Sequence, residues 1–151
     1  GVNVPTLSEA LTPLYRRYLS AVVLFHQRAA RAAGIGATDY QASSLLALRP
    51  SWTTGELGAA LGLTSGAATR LVDRLVAAGV ARRVPDPADR RKVQIEHTGR
   101  VDERLNAALD EVREPIDAAI SGLDQHQLEG LVAYFEAAAR AFETASAPFA
   151  G

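Results

Sequence analysis

The stretch that decides the fold reads WTTGELGAALGLTSGAATRLVDRLVAAG and covers residues 52–79. Thr53 and Glu56 have the spacing of a capping box, in which each side chain bonds the backbone N–H of the other residue. The apolar residues Trp52 and Leu57 flank this pair at the positions of a hydrophobic staple. We therefore expect a short helix to begin at Thr53.

A second helix follows after a tight turn. The first helix is expected to end at about Leu61, and Gly62 and Leu63 form the turn. Thr64 then caps the next helix, which ends at Gly79. Two short helices joined by a tight turn that contains glycine are typical of a helix-turn-helix.

The period of the apolar residues changes beyond this second helix. Residues 80–84 alternate between apolar and polar side chains, and so do residues 93–97, which predicts two strands of a β-hairpin. The loop between them, residues 85–91, is long, charged and rich in proline and aspartate. A charged hairpin directly after a helix-turn-helix is typical of a wing.

Amphipathic helices are expected on the N-terminal side of this unit. Apolar residues at three-and-four spacing predict a first helix from Leu7 to about Ala33, which ends at Gly34 and Gly36. We expect Thr38 to cap a second helix that continues to about Leu48.

Two further helices are expected on the C-terminal side. One covers residues 98–121 and contains Pro115, which should kink it near Glu111. The last begins at the capping box of Asp124 and Gln127. The apolar stripes of the terminal helices are too long for a small winged domain to cover, so we expect them to pair with a second copy of the chain.

These elements predict a mainly α protein, in which a winged helix-turn-helix with a small β-hairpin is joined to N- and C-terminal dimerisation helices. We divide one intertwined domain into an N-terminal dimerisation helix (residues 1–36), a winged helix-turn-helix lobe (the winged lobe, residues 37–98) and C-terminal dimerisation helices (residues 99–151). The composition agrees with this assignment, since the 151 residues include 29 alanines and only nine Phe, Tyr and Trp residues.

The composition also excludes several classes of protein. The chain has no cysteine, which excludes disulfides, thiolate zinc sites, iron–sulfur clusters, cysteine nucleophiles and thiol redox switches. No apolar run reaches the 18 residues of a membrane span, and the N-terminus lacks the pattern of a signal peptide. We expect a cytoplasmic protein that has no membrane partner.

The formal net charge of −1 hides an uneven distribution. Residues 1–50 and 51–100 each carry +3, whereas residues 101–151 carry −7. Fifteen of the sixteen basic residues are arginine, which suits bidentate contacts with phosphates and base edges. A GC-rich codon bias is the simpler explanation for the preference for arginine over lysine.

The segment TTGELGAALGLTSGAATRLVDRLVAAGVARRVPDPADRRKVQIEHT, residues 53–98, resembles the MarR family of winged-helix transcriptional regulators. The most similar parts are the TRLVDRL core of the second helix, the turn at Gly79, and the D-x-R pattern of residues 89–91 followed by an alternating strand. The resemblance covers residues 38 to about 105 at motif level, and the flanking helices agree in number, length and position.

The resemblance implies a homodimer whose terminal helices interlock and whose two lobes bind double-stranded DNA at a pseudo-palindromic operator. The second helix of each lobe would lie in the major groove, with half-sites about 10 base pairs apart. In the D-x-R pattern of the family the arginine enters the minor groove and the aspartate aims it. The resemblance therefore assigns these roles to Arg91 and Asp89.

The recognition helix should expose small side chains that let it enter the groove, and Arg70 is the candidate for a base-edge or phosphate contact. Thr64 and Ser65 can act as helix caps as well as DNA contacts. An internal salt bridge with Asp73 is the favoured role of Arg74. The exposed set is Thr64, Ser65, Gly66, Ala68, Thr69 and Arg70.

The wing supplies five cations, which form a candidate phosphate footprint. The alternative is a solvated loop held by a surface ion pair. Arg90 and Lys92 are auxiliary phosphate contacts beside Arg91. The full set of cations is Arg82, Arg83, Arg90, Arg91 and Lys92.

An aromatic cluster is a candidate ligand pocket between the dimerisation helices and the DNA-binding lobe, where family members commonly bind small anionic aromatic molecules. The alternative for His26 is an ordinary core or interface histidine. The candidate pocket residues are Tyr15, Tyr18, His26, Tyr40 and Trp52.

The remaining patterns favour neither an enzyme nor a metalloprotein. The three histidines lack metal-ligand spacing, and no phosphate loop or catalytic triad is apparent. We expect a cofactor-free, sequence-specific DNA-binding regulator, a repressor that a small molecule releases. The alternatives are a winged-helix module that binds an acidic protein partner, and a ligand-binding or catalytic protein that uses the aromatic pocket.

Overall fold

A computed structural model describes residues 7–146, so the outer ends of the two expected dimerisation segments lie outside the described residues. The described part is mainly α-helical with one small antiparallel sheet, as the sequence predicts. Its elements are α1 (Leu7–Ala32), α2 (Ala37–Leu46), β1 (Trp52–Thr53), α3 (Thr54–Leu61), α4 (Ser65–Ala77), β2 (Ala81–Pro85), β3 (Val93–His97), α5 (Glu103–Ser121) and α6 (Gln125–Ser146).

The capping box that opens the helix-turn-helix is confirmed. Thr53 Oγ1 accepts from the Glu56 N–H, and Glu56 Oε1 accepts from the Thr53 N–H, both at 3.0 Å. These hydrogen bonds hold the pKa of Glu56 below its ordinary value, with a smaller contribution from nearby Arg49. Trp52 and Leu57 are both buried in the core, as the predicted staple requires.

The sheet has a strand that the sequence pattern did not predict. Besides the expected hairpin of β2 and β3, the two-residue strand β1 pairs antiparallel with β3, which gives the order β1-β3-β2. Trp52 lies opposite Ile95 in this register. The residue that precedes the cap of α3 is therefore paired with a strand of the wing.

The second helix begins and ends earlier than expected. Gly36 already has the extended backbone of an N-cap, with φ −65° and ψ 149°, so the helix starts at Ala37. Thr38 consequently lies within the first turn and is not the cap. Leu46 is the last helical residue, and Leu48 lies in a turn beyond it.

The long helix α5 starts five residues after the predicted position. Asp102 is its cap, because its Oδ1 accepts from the N–H groups of Arg104 (2.9 Å) and Leu105 (3.2 Å). Thr98 instead donates its hydroxyl to the Gly79 carbonyl at 2.6 Å, which ties the end of β3 to the end of α4. The helix is continuous through Pro115.

Two apolar clusters hold these elements together. The larger cluster lies inside the winged lobe, and the smaller one joins α1 to α5. The buried members of the smaller cluster are Ala29, Ala33 and Leu105. The larger cluster consists of Ala42, Leu46, Trp52, Leu57, Leu71, Val72, Leu75, Ala81 and Ile95.

The last helix makes few contacts with the rest of the chain. Its predicted capping box is present, since Asp124 and Gln127 accept from each other's backbone N–H groups at 2.9 Å. None of the α6 residues that the structure describes is buried. Phe142 stacks on Tyr15 of α1 with ring centroids 6.5 Å apart.

Replacing Gly79 with alanine is expected to destabilise the fold. Gly79 has φ +75°, and an added Cβ would lie 2.9 Å from Arg100 Nη1. An L-residue in the left-handed conformation costs about 1–2 kcal/mol, so chemical denaturation should show a loss of at least that size. Gly130→Ala is the matched control, since it lies in α6 with open space around it and should not destabilise. Equal free energies of unfolding for the two variants would contradict the prediction.

Candidate nucleic-acid interface

Helix α4, which the sequence predicts to be the recognition helix, is held at its N-terminus by the predicted cap. Thr64 Oγ1 accepts from the Ala67 N–H at 3.2 Å, and the Thr69 hydroxyl donates to the Ser65 carbonyl at 3.0 Å. Both hydroxyls therefore hold the first turns of the helix. They remain on the exposed surface, where a further contact with a phosphate oxygen is compatible with the cap.

Ala68 does not belong to the exposed set. It is 1% exposed and lies on the same helix face as Leu71 and Val72, three and four residues later. A Cβ added to Gly58 would lie 3.0 Å from the Ala68 Cβ, so α3 and α4 approach closely at this point. The expectation that Ala68 faces outward is wrong, because the residue packs between the two helices.

The other predicted residues of α4 share one exposed face. Arg70 is the one large side chain among them, and its Nη1 lies 3.4 Å from the position of a Cβ on Gly66. Its guanidinium thus lies over the first turn of the helix. The exposed face consists of Thr64, Ser65, Gly66, Thr69 and Arg70.

Two of the five wing cations pair with acidic side chains that lie outside the loop of the wing. Arg82 pairs with Glu96 across the hairpin at 3.2 Å. Arg83 forms an ion pair with Asp73 of α4. These arginines join the wing to its neighbours, and their charge is partly neutralised there.

The wing tip, residues 86–92, presents the other three cations to solvent. Arg90, Arg91 and Lys92 are exposed, and the Arg91 side chain is 94% exposed. Asp89 Oδ1 accepts from the Arg91 N–H at 3.0 Å and lies 3.6 Å from Arg91 Nε. The structure therefore brings together the two residues of the D-x-R pattern, while their contact with DNA stays a prediction.

Asp86 is a wing residue that the sequence analysis missed. Its carboxylate accepts from Gln94 Nε2 (2.8 Å) and from the N–H groups of Ala88 (2.8 Å) and Asp89 (3.3 Å). The bond from Gln94 is the main reason why the pKa of Asp86 lies below its ordinary value. An aspartate before proline in a loop is a turn signal that could have identified it.

Arg74 makes the expected ion pair with a different partner. It binds Asp39 of α2 in a bidentate manner, with Nη2 2.8 Å from Oδ1 and Nε 3.0 Å from Oδ2. Asp73, the predicted partner, is bound to Arg83. The recognition helix is thus linked through Arg74 to α2 and through Asp73 to the wing.

The structure brings together two of the five predicted pocket residues. His26 and Tyr40 have ring centroids 5.5 Å apart and line a cavity of about 780 Å³ between α1 and α2. His26 Nδ1 lies 2.8 Å from the Val22 carbonyl, and burial raises the pKa of Tyr40.

The other three predicted pocket residues lie elsewhere. Tyr15 stacks on Phe142, and Tyr18 is exposed on α1. Trp52 is 3% exposed in the core of the winged lobe, because its strand pairs with β3. The expectation of one pocket lined by all five aromatic residues is therefore wrong.

A second cavity of about 450 Å³ lies where α2, α4 and α5 meet. Tyr40 lines it together with Asp39 and three arginines, Arg74, Arg100 and Arg113. Arg74 and Asp39 are the ion pair that joins the recognition helix to α2. This cavity thus borders the connection between the recognition helix and the rest of the chain.

Residues 7–146 present neither a candidate metal site nor a helix that could span a membrane. No group of three or more histidine and acidic side chains in this part of the chain could hold a metal ion. None of the described helices combines the length and apolar character needed to cross a membrane.

Residues 34–92 match the sequence model of the MarR family. The winged helix-turn-helix of this chain is thus similar to that of the MarR family. The chain is also similar to the uncharacterized HTH-type transcriptional regulator YcgE of Bacillus subtilis (strain 168), with 44% identity over 89 residues. That match covers 59% of this chain and 58% of YcgE, so it spans less than two thirds of the relative.

Solved structures share the MarR-type fold over most of the chain. A point mutant of MepR from a multidrug-resistant S. aureus clinical isolate has a TM-score of 0.69 at 16% identity, covering 87% of this chain and 96% of MepR. Another S. aureus MepR mutant, bound to an oligodeoxyribonucleotide, has a TM-score of 0.55 at 16% identity, with coverages of 87% and 97%. At these identities the likeness establishes the fold.

Proposed function

We propose that this protein is a dimeric, sequence-specific DNA-binding transcriptional regulator that works in the cytoplasm. One observation carries the proposal. The same lobe contains both the exposed face of α4 and a wing tip with three exposed cations. The match to the MarR family, the description of YcgE as a transcriptional regulator, and the oligodeoxyribonucleotide bound to a MepR mutant support it.

The exposed face of α4 suits the major groove of DNA. Ser65, Gly66 and Thr69 have small side chains, so the helix can approach the base edges closely. Arg70 can then donate two hydrogen bonds to guanine O6 and N7, or bind a phosphate. The capped N-terminus of α4 adds backbone N–H groups that favour a phosphate.

The wing tip suits the adjacent minor groove. Narrow, A·T-rich minor grooves have an enhanced negative potential that attracts an inserted arginine. Arg91 is the candidate because its side chain extends into solvent while Asp89 holds its backbone. We expect Arg90 and Lys92, which are exposed beside Arg91, to bind the flanking phosphates.

Arg91→Ala is expected to weaken operator binding about tenfold, because an arginine that contacts DNA contributes roughly 1–3 kcal/mol. The dependence of affinity on salt should also become less steep. Gel-shift titrations against the protein's own upstream DNA, at several salt concentrations, measure both effects. Asp89→Ala should produce a smaller loss.

Arg140→Ala is the control for Arg91→Ala, since it removes the same charge from α6. It should leave the affinity unchanged. Wild-type affinity in the Arg91 variant would refute the role of the wing. Affinity of the wild-type protein that does not fall as salt rises would refute DNA binding as the function.

The terminal helices support a homodimer. Helix α6 leaves several large apolar side chains exposed, and contiguous apolar surface of this kind marks an interaction site. A two-fold dimer would present two copies of α4 to the two halves of a pseudo-palindromic operator. The large exposed apolar side chains of α1 and α6 include Leu11, Leu14, Tyr18, Leu19, Val132, Tyr134, Phe135 and Phe142.

Phe135→Glu is expected to convert the dimer to a monomer at micromolar concentration, because it introduces a charge into the apolar interface. Sedimentation velocity measures the mass directly. Leu48→Glu is the control, since Leu48 is also an exposed apolar residue but lies in the turn after α2. A monomeric wild-type protein at this concentration would refute the dimer.

The final part of the proposal is that the protein is a repressor. A small anionic molecule would release it from its operator DNA. The cavity bordered by Arg74, Arg100 and Arg113 suits a carboxylate, and Tyr40 offers an aromatic wall. A carboxylate that binds Arg74 competes with Asp39 and weakens the link between α4 and α2. Such a ligand shifts the equilibrium only through its different affinity for the two states.

Benzoate is expected to lower the operator affinity of the wild-type protein, and Arg113→Ala should lose this response because it removes one cation from the cavity. Fluorescence anisotropy of labelled operator DNA at constant ionic strength measures the effect. Acetate is the control for the carboxylate charge alone. An equal effect of benzoate on the wild-type protein and the variant would place its binding elsewhere.

A further inference from the structure

Asp86 connects three parts of the wing through its side chain. Its Oδ1 accepts from the N–H groups of Ala88 and Asp89, the first two such groups after Pro87. Its Oδ2 accepts from the side-chain amide of Gln94 on β3, at 2.8 Å. The Asp86 carboxylate thus joins Ala88 and Asp89 of the wing tip to Gln94 of the sheet.

Backbone hydrogen bonds close the same loop. The Asp86 N–H donates to the Lys92 carbonyl at 3.0 Å, and the Lys92 N–H donates to the Asp89 carbonyl at 2.9 Å. Residues 86–92 therefore form a small ring above the last pair of the hairpin, Pro85 and Val93. The Asp86 side chain bonds across this ring to both of its sides.

A chain of contacts runs from the sheet to Arg91. Gln94 is fixed in β3 opposite Val84 and binds Asp86, which holds the backbone of Asp89. Asp89 then binds the backbone N–H of Arg91 and lies near its Nε. Because the Arg91 side chain is 94% exposed, its own packing cannot set its direction, and the backbone below it must do so.

We propose that Asp86 and Gln94 are positioning residues, which hold the wing tip in the conformation that directs Arg91 into the minor groove. This inference rests on the proposed DNA-binding function. Pre-ordering the tip removes part of the entropic cost of binding. Asp86 itself makes no contact with DNA in this role.

The charge of Asp86 allows positioning to be distinguished from simple electrostatics. Removing an acidic side chain near the phosphates should strengthen DNA binding if charge alone matters, since the repulsion disappears. Removing a positioning residue should weaken binding. The two explanations therefore predict opposite signs for the same substitution.

Asp86→Ala is expected to weaken operator binding several-fold, which is less than the loss for Arg91→Ala because Asp86 acts only through the position of Arg91. Asp86→Asn is the matched variant, because it removes the same charge but keeps an oxygen that can accept from Ala88 and Asp89. The Gln94 amide can turn over to bind the new amide. Asp86→Asn should therefore recover most of the wild-type affinity. Stronger binding by Asp86→Ala would overturn the proposal.

The double variant Asp86→Ala/Arg91→Ala tests whether Asp86 acts through Arg91. If it does, the double variant should bind no more weakly than Arg91→Ala alone. Fully additive losses would show that Asp86 acts by another route and would overturn the assignment.

Backbone ¹⁵N relaxation of the free protein tests the same idea without DNA. Asp86→Ala should increase the fast motions of residues 87–91 and leave the core of the lobe unchanged. A tip that stays as ordered as in the wild-type protein would overturn the proposal. If the wild-type protein bound no DNA, the proposed function would fail, and this measurement would still decide whether Asp86 orders the tip.

Discussion

The pairing of Trp52 with Ile95 is the contact on which the winged lobe depends. Trp52 takes part in the sheet, in the start of the helix-turn-helix and in the core. It lies in the short strand β1, precedes the cap of α3 and is buried in the same cluster as Leu57. Its position sets where the helix-turn-helix begins relative to the wing. The exposed face of α4 and the wing tip therefore belong to one packed unit, although 20 residues separate Arg70 from Arg90 in the sequence.

Several features that depend on local chemistry could be predicted from the sequence, although the caps of α2 and α5 were not. The capping box at Thr53, the cap at Thr64 and the turn at Gly79 each involve groups only a few residues apart. Features that depend on distant contacts could not. Strand β1 exists because β3 offers it a partner, and Arg74 binds Asp39 because the fold brings α2 beside α4.

The candidate site follows the same division. Periodicity places Ala68 on the α4 face that carries Leu71 and Val72, but its small side chain near the N-terminus of the helix suggested an exposed residue. A count of basic residues likewise overstates the cationic surface of the wing. Arg82 and Arg83 form ion pairs with Glu96 and Asp73, so the exposed positive charge is concentrated at the tip. Both arginines lie in β2, whereas their acidic partners lie in β3 and α4.

The close approach of α3 and α4 at Gly58 and Ala68 has a consequence for how such a protein can diversify. A larger residue at either position would force the helices apart and shift α4 as a body. The outward-facing residues Ser65 and Gly66 carry no such restriction, since they contribute nothing to the core. Mutation can therefore alter the exposed face of α4 while the frame that presents this face stays the same.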